Sequence, residues 1–189
     1  MAILSVARMG HPILRRKAKP VDPMEIRTKE FQSLVDDMVE TMRDLDGVGL
    51  AAPQVYRSIR LAVVELTDDN PRYPENGGAG ELSGLQVFIN PKITKLTRKK
   101  ARNWEGCLSV PGLRGLVARP DKVRVKYLDR EGKSRTRVVE GFLAIVLQHE
   151  FDHLDGVLYV DRLVDSKFLV FEEEFEKHVI NEVDSEAAS

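Results

Sequence analysis

The 189-residue sequence lacks the features of several large protein classes. It holds a single cysteine, so no disulfide can form within the chain, and a reducing location such as the cytoplasm is expected. No apolar run approaches the roughly 18 residues that a membrane-spanning helix needs, and the N-terminus lacks a secretory signal pattern. A formal net charge of -1 gives no overall attraction to DNA or to a membrane surface. We therefore expect neither partner; an organellar matrix is the alternative location if a transit peptide has been removed.

The composition that is present suits one globular domain. Hydrophobic residues make up 42% of the chain and charged residues 31%, which is ordinary for this length. We predict a single catalytic domain over residues 1–189. Residues 67–84 hold two prolines and four glycines, which predicts an exposed insertion. The small and polar residues at 183–189 predict a frayed tail.

Hydrophobic periodicity predicts an α+β fold. An amphipathic N-terminal helix is expected to begin at Asp22 and Pro23 and to end before Gly47. The apolar run in residues 141–154 predicts a buried central helix, and the apolar spacing from Ser166 onward predicts a C-terminal helix. Antiparallel or mixed sheets are expected to pack around the central helix. The predicted strands are residues 60–66, 85–90, 93–97, 122–128 and 135–139.

The central helix carries an HExxH pattern. His149 and His153 are four residues apart, so on a helix their imidazoles lie one turn apart on the same face and can bind one metal ion. Glu150 is adjacent and suits proton transfer better than metal binding. The pattern predicts a catalytic metal site.

The third ligand of this site is not settled by the pattern. A third histidine six residues after His153 would mark one protease class, but Tyr159 stands there. Glu173, in an acidic run, would give the site of a zinc endopeptidase, although such a run is more typical of a solvated face. Cys107 is the other candidate, and a lone buried cysteine is often inert.

Three segments, one of which contains the HExxH pattern, together point to one family. The runs GVGLAAPQV from Gly47, EGCLSVPG from Glu105 and QHEFDHLDG from Gln148 resemble, in order and spacing, the three motifs of the iron-dependent peptide deformylases of bacteria and organelles. The run RMGHPILR near the N-terminus extends the resemblance. It implies an enzyme that hydrolyses the formyl group from the N-terminal formylmethionine of newly synthesised polypeptides and releases formate.

The resemblance implies a role for each motif residue. Cys107, His149 and His153 would bind one divalent metal ion, Fe²⁺ in the cell, with Zn²⁺, Ni²⁺ or Co²⁺ as substitutes. Glu150 would move the proton between water and the departing amine. The side-chain amide of Gln54 and the backbone N–H of Leu108 would stabilise the oxyanion.

The resemblance also implies a substrate cleft. Small or absent side chains near Gly47 let a peptide backbone approach closely, although glycines there also suit an ordinary turn. Apolar residues one to two helical turns before His149 would hold the methionine side chain, and on pattern alone they would be core. The predicted substrate-binding residues are Gly47, Val48, Gly49, Phe142, Ile145 and Val146.

Uneven charge bears on the partners. Besides N-formylmethionyl peptides, some deformylases are thought to bind the ribosome through a basic C-terminal helix. Residues 164–189 hold eight acidic residues and two lysines, so docking on RNA through this segment is not expected. Residues 92–137 hold fifteen basic and four acidic residues and could face RNA instead, although a solvated strand face explains them better.

Overall fold

Two antiparallel sheets and a central helix form the α+β fold. The structure is a computed structural model that describes residues 2–66 and 84–180. The predicted insertion at 67–84, apart from Gly84, and the predicted frayed tail lie outside the described residues. The main helices are α1 (Lys29–Asp44) and α2 (Gly141–Leu154). The strands are β1 (Gly49–Ala51), β2 (Leu61–Leu66), β3 (Gly84–Lys95), β4 (Lys100–Cys107), β5 (Val110–Pro120), β6 (Lys122–Leu128), β7 (Ser134–Glu140) and β8 (Leu169–Phe171).

The five-stranded sheet has the order β1-β2-β3-β6-β7, and the three-stranded sheet has the order β4-β5-β8. α2 contacts strands of both sheets, including β1, β2 and β5. It occupies the predicted residues 141–154, and most of its apolar side chains are buried, as a central helix requires. Among the described residues, the structure contains no helix long and apolar enough to cross a membrane.

The start of α1 differs from the prediction. Oγ1 of Thr28 accepts a hydrogen bond from the backbone N–H of Phe31, 3.3 Å away, so Thr28 is the capping residue. The carboxylate of Asp22 instead accepts from the N–H of Met24 at 2.9 Å and closes an isolated turn. The prediction of Asp22 as the cap was wrong because aspartate closes turns and helices through the same contact. The helix ends before Gly47, as predicted.

The strands also differ in part. Residues 85–90 and 93–97 were predicted as two strands, but β3 runs through both, with a register shift between Ile89 and Lys92. Pro91 lies in this irregularity, where the missing N–H is tolerated. β4 and β5 were not predicted, since their charged residues and glycines hide the alternation of a strand.

The predicted C-terminal helix is wrong in its first part. Leu169–Phe171 forms β8, which pairs with β5, and helical structure covers Glu172–Glu174 and the π-helical turn Phe175–Val179. Pairing with an open sheet edge outweighs the helical spacing of these apolar residues.

Candidate metal centre and active site

Three donor side chains converge between α2 and the end of β4. The rings of His149 and His153 lie one helical turn apart, with centroids separated by 5.0 Å. Cys107 ends β4, and its Sγ lies 3.3 Å from Nε2 of His153. Ligand atoms of the three residues all lie within 4.8 Å of one another. The fold therefore brings Cys107, of the segment EGCLSVPG, next to the two histidines of the HExxH pattern, which lie 42 and 46 positions later in the sequence.

Glu105 fixes one of the two imidazoles. Its Oε2 lies 2.8 Å from Nδ1 of His149. Burial alone would raise the pKa of the Glu105 carboxyl, but hydrogen bonds from His149 and Arg119 lower it to about 2. Because Glu105 is then a carboxylate, Nδ1 of His149 carries the proton and Nε2 is left to bind a ligand.

Arg119 forms a bidentate ion pair with Glu105. Its Nε and Nη2 donate to the two oxygens of Glu105 at 2.6 and 2.9 Å, and its Nη1 donates to Asp152 at 2.7 Å. Asp152 also accepts hydrogen bonds from Arg162. The sequence interpretation assigned no role to this network. Glu105 and Asp152 lie inside the recognised motifs, which was a usable signal, whereas nothing in the sequence marks Arg119.

Glu150 faces the other side of the site, against β1. Burial raises the pKa of its carboxyl to about 7, and Oε2 has no hydrogen-bond partner among residues 2–66 and 84–180. A Cβ at Gly49 would lie 2.5 Å from Oε1 of Glu150, so a side chain at that position would displace the carboxylate. Position 49 therefore requires a glycine, because the carboxylate of Glu150 packs against the backbone there.

Gln54 lies in the 3-10 turn Ala52–Val55 that follows β1. Its Oε1 accepts from the N–H of Ala51 at 2.8 Å, which fixes the amide so that Nε2 points into the site. Nε2 donates to Oγ of Ser109 at 3.2 Å and lies 3.6 Å from Sγ of Cys107. The amide donor is thus held beside the thiol before any substrate binds.

A cavity of about 560 Å³ opens onto these groups. Its lining includes apolar side chains from α2 and charged side chains from other parts of the chain. His153 is 1% exposed and lies behind the cavity wall. The predicted site residues that line the cavity are Gly47, Val48, Gly49, Gln54, Cys107, Leu108, Phe142, Ile145, Val146, His149 and Glu150.

The donor set fits a divalent transition metal. One thiol and two imidazoles suit Fe²⁺ or Zn²⁺, and three protein ligands are the usual number in a catalytic site. Nδ1 of His153 has no hydrogen-bond partner in the described part of the chain, and the unpartnered Oε2 of Glu150 lies nearby on α2. Glu173 is exposed and does not belong to the converging group, so the endopeptidase alternative is not favoured.

Fold and site together indicate a metal-dependent hydrolase with an HExxH helix and a cysteine among the candidate metal ligands. The model of the polypeptide deformylase family matches residues 3–168. A peptide deformylase of Leptospira biflexa is 49% identical over 176 residues, which cover 93% of this chain and 96% of the relative. The chain belongs to the polypeptide deformylase family. Its activity is hydrolysis of the formyl group from N-terminal formylmethionine.

Solved structures support the same assignment. The Met-Ala-Ser-bound class I type b peptide deformylase of Acinetobacter baumannii superposes with a TM-score of 0.77 and is 41% identical; the match covers 86% of this chain and 99% of that chain. The peptide deformylase of Thermotoga maritima gives a TM-score of 0.75 at 35% identity, over 87% of this chain and 100% of that chain. These matches confirm the predicted α+β class and the resemblance to peptide deformylases.

Proposed function

We propose that the chain performs this hydrolysis with one divalent ion held by Cys107, His149 and His153. The observation that carries the proposal is the convergence of their ligand atoms within 4.8 Å, next to a buried carboxylate in the same cavity. Fe²⁺ is the ion we expect in the cell, from the resemblance to the iron-dependent deformylases. Zn²⁺, Ni²⁺ and Co²⁺ are the substitutes we expect, because a mixed sulfur and nitrogen donor set binds all four ions. An ion there supplies Lewis acidity that polarises a carbonyl group and makes water a stronger acid.

Glu150 is the proposed proton carrier. Its Oε2 has no hydrogen-bond partner in the described residues, so it is available to accept a proton from the water that attacks the formyl carbon. The same carboxyl group then donates that proton to the departing amine nitrogen as the C–N bond breaks. Formate and a free methionine amine are the products.

Gln54 and Leu108 are the proposed oxyanion donors. Nε2 of Gln54 is held in place by the contact of Oε1 with Ala51, so it does not need to reorganise when negative charge develops on the formyl oxygen. Leu108 follows Cys107 directly and lines the cavity, which supports this role for its backbone N–H. Loss of one such donor typically lowers the rate by about 10² to 10³.

The peptide is proposed to bind along β1. Within residues 2–66 and 84–180, this strand is at the edge of the five-stranded sheet and pairs only with β2, so its other side can pair with a substrate main chain. Gly47, Val48 and Gly49 would make these contacts. The methionine side chain would lie against Val48 and against the α2 residues Phe142, Ile145 and Val146. The Met-Ala-Ser bound to the Acinetobacter baumannii relative supports a peptide as the ligand of this family member.

The partners we propose are N-formylmethionyl nascent peptides in the cytoplasm. Three consecutive glutamates, Glu172–Glu174, begin the helical part of the C-terminal segment, and Glu173 and Glu174 are exposed. Phosphate groups would repel this segment, so contact with the ribosome surface is not expected to use it.

Formate release from formyl-Met-Ala-Ser tests the proposal. The Fe²⁺-loaded protein should release formate, and Glu150→Gln should release it about 10² to 10⁴ times more slowly while binding the same amount of metal. Glu173→Gln makes the same chemical change on an exposed residue and should retain full activity. Equal activity of Glu150→Gln and Glu173→Gln would contradict the assignment of Glu150.

A further inference from the structure

The C-terminal segment contributes a charged residue to the substrate cavity. Glu172 lines the same cavity as Cys107 and Glu150, although it comes directly after β8 and belongs to the helical turn Glu172–Glu174. It also lies beyond residue 168, where the match to the family model ends. None of the three deformylase motifs in the sequence includes this residue.

Glu172 is held in place by the packing of its segment. β8 pairs with β5 in a defined register, with Leu169 opposite Gly115 and Phe171 opposite Leu113. Trp104 of β4 contacts the aromatic rings on both sides of Glu172, with centroid distances of 6.2 Å to Phe168 and 5.0 Å to Phe175. These contacts fix where the carboxylate enters the cavity.

Arg114 is the partner of Glu172. Its Nε donates to Oε1 of Glu172 at 2.9 Å, and Nη2 contacts the same oxygen. The side chains are 25% and 37% exposed, so the pair is partly shielded from water. Nη1 of Arg114 lies against Gly106, at 2.6 Å from the position a Cβ would take there. The guanidinium group therefore contacts Gly106, the residue directly before Cys107.

Apart from the site carboxylates Glu105 and Glu150, the charges of the described arginine, aspartate and glutamate side chains that line the cavity cancel. These residues are Arg8, Asp46, Arg114 and Glu172, two positive and two negative. Without Glu172, this set would carry a net positive charge, and Arg114 would lose the carboxylate bonded to it.

A bound peptide would pass this pair. With its formyl group at the candidate metal ligands and its methionine side chain among the apolar residues of α2, its later residues extend along the rest of the cavity, whose lining includes Gly106, Arg114 and Glu172. An extended peptide advances about 3.3–3.6 Å per residue, so its second and third residues are assigned to this part of the lining.

We propose that Glu172 is a specificity-determining residue that pairs with Arg114 and keeps the part of the cleft beside Gly106 electrically neutral. The cleft then gains no preference for an acidic side chain at the second or third position of the peptide. This inference rests on the proposed function, because it assumes that the peptide occupies this cavity.

Binding of product peptides tests the proposal without turnover. Affinities of the metal-loaded protein for Met-Ala-Glu and Met-Ala-Lys are measured by calorimetry at low salt. In the wild type, they should agree within about threefold. Glu172→Gln should favour Met-Ala-Glu by about fivefold over the wild-type ratio, because Arg114 is left unpaired, and added salt should reduce this gain. The double variant Glu172→Gln and Arg114→Gln should lose this preference for Met-Ala-Glu.

Glu173→Gln is the matched control, since it removes the same charge from the neighbouring, exposed residue. Its affinity ratio should equal that of the wild type. An unchanged ratio in Glu172→Gln, or an equal shift in Glu173→Gln, would overturn the proposal while leaving formate release, and so the proposed function, intact. Failure of both peptides to bind any variant would remove the cavity as a peptide site and overturn both.

Discussion

Nδ1 of His149 lies 2.8 Å from Oε2 of Glu105, a carboxylate whose side chain is 6% exposed. Glu105 in turn accepts two hydrogen bonds from Arg119, which is 4% exposed. The imidazole is therefore held by a buried ion pair, and groups outside the candidate metal site set the direction of its other nitrogen, Nε2. Such supporting contacts set the affinity of a metal site as well as the orientation of its ligands.

Glu105→Gln should weaken both the fold and the site. The amide leaves the buried Arg119 without its bidentate carboxylate, which should lower the free energy of unfolding by about 3 kcal/mol. Metal affinity should fall about 10- to 100-fold, because His149 loses the partner that fixes its tautomer. Denaturant unfolding and competition with a chelator measure the two effects. Glu140→Gln, at an exposed ion pair with Lys122, should cost under about 1 kcal/mol.

Arg119→Lys should destabilise the protein more than Arg162→Lys does. Arg119 bonds both Glu105 and Asp152 through three nitrogens, and a lysine offers a single ammonium group that cannot reproduce this geometry. We expect a loss of about 2–4 kcal/mol for Arg119→Lys. Arg162 binds the same Asp152 but is 43% exposed, so its replacement should cost under about 1 kcal/mol. Equal losses measured in urea would contradict the role of the buried network.

Gly49→Ala should slow the reaction without removing the metal. The added methyl group would lie 2.5 Å from Oε1 of Glu150, so the carboxylate must move from its position. A displacement of about 1 Å in a catalytic group can cost about 10² in rate. Steady-state formate release and metal content, measured on the same preparation, test this. Full activity in a metal-loaded Gly49→Ala protein would show that the position of Glu150 is not critical.

Glu65→Gln should destabilise the protein in a pH-dependent way. Nε and Nη2 of Arg43 bond the two oxygens of Glu65 at 2.7 and 2.6 Å, and these bonds lower the pKa of Glu65, although burial opposes them. A lowered pKa stabilises the fold above the ordinary glutamate pKa of about 4.3, and the stabilisation is lost as the pH falls further. The variant should therefore lose up to about 1 kcal/mol at pH 7 and be indistinguishable from wild type in strong acid. Exposed Glu131→Gln is the control.

Local patterns in the sequence were enough to place the helix that carries the site. The HExxH spacing and the apolar run before it predict α2 and the relative positions of His149 and His153, since both depend on contacts within four residues. Cys107 could be assigned only through the family resemblance, because residue spacing alone left Glu173 as an alternative. Its convergence with the histidines depends on how β4 packs against α2.

The contacts between distant residues could not be predicted. Glu105 and Arg119 lie on the neighbouring strands β4 and β5 but are not opposite each other, since Glu105 is opposite Gly115 and Arg119 is opposite Ala101. Their ion pair depends on how the two strands bend and pack, and neither strand shows a clear alternation in the sequence. Leu169–Phe171 has helical apolar spacing but forms a strand because the edge of β5 is available. The same pairing carries Glu172 into the cavity, which no pattern near Glu172 could indicate.

The absorption spectrum of the cobalt-loaded protein tests the central claim, a thiolate-bound metal site, most directly. Wild type and Glu173→Gln should both bind one Co²⁺ and show a thiolate-to-cobalt charge-transfer band, because Cys107 is the third ligand. Cys107→Ala should lose this band and bind the ion more weakly. A wild-type spectrum without the band, or loss of metal in Glu173→Gln but not in Cys107→Ala, would contradict the account and restore the endopeptidase alternative.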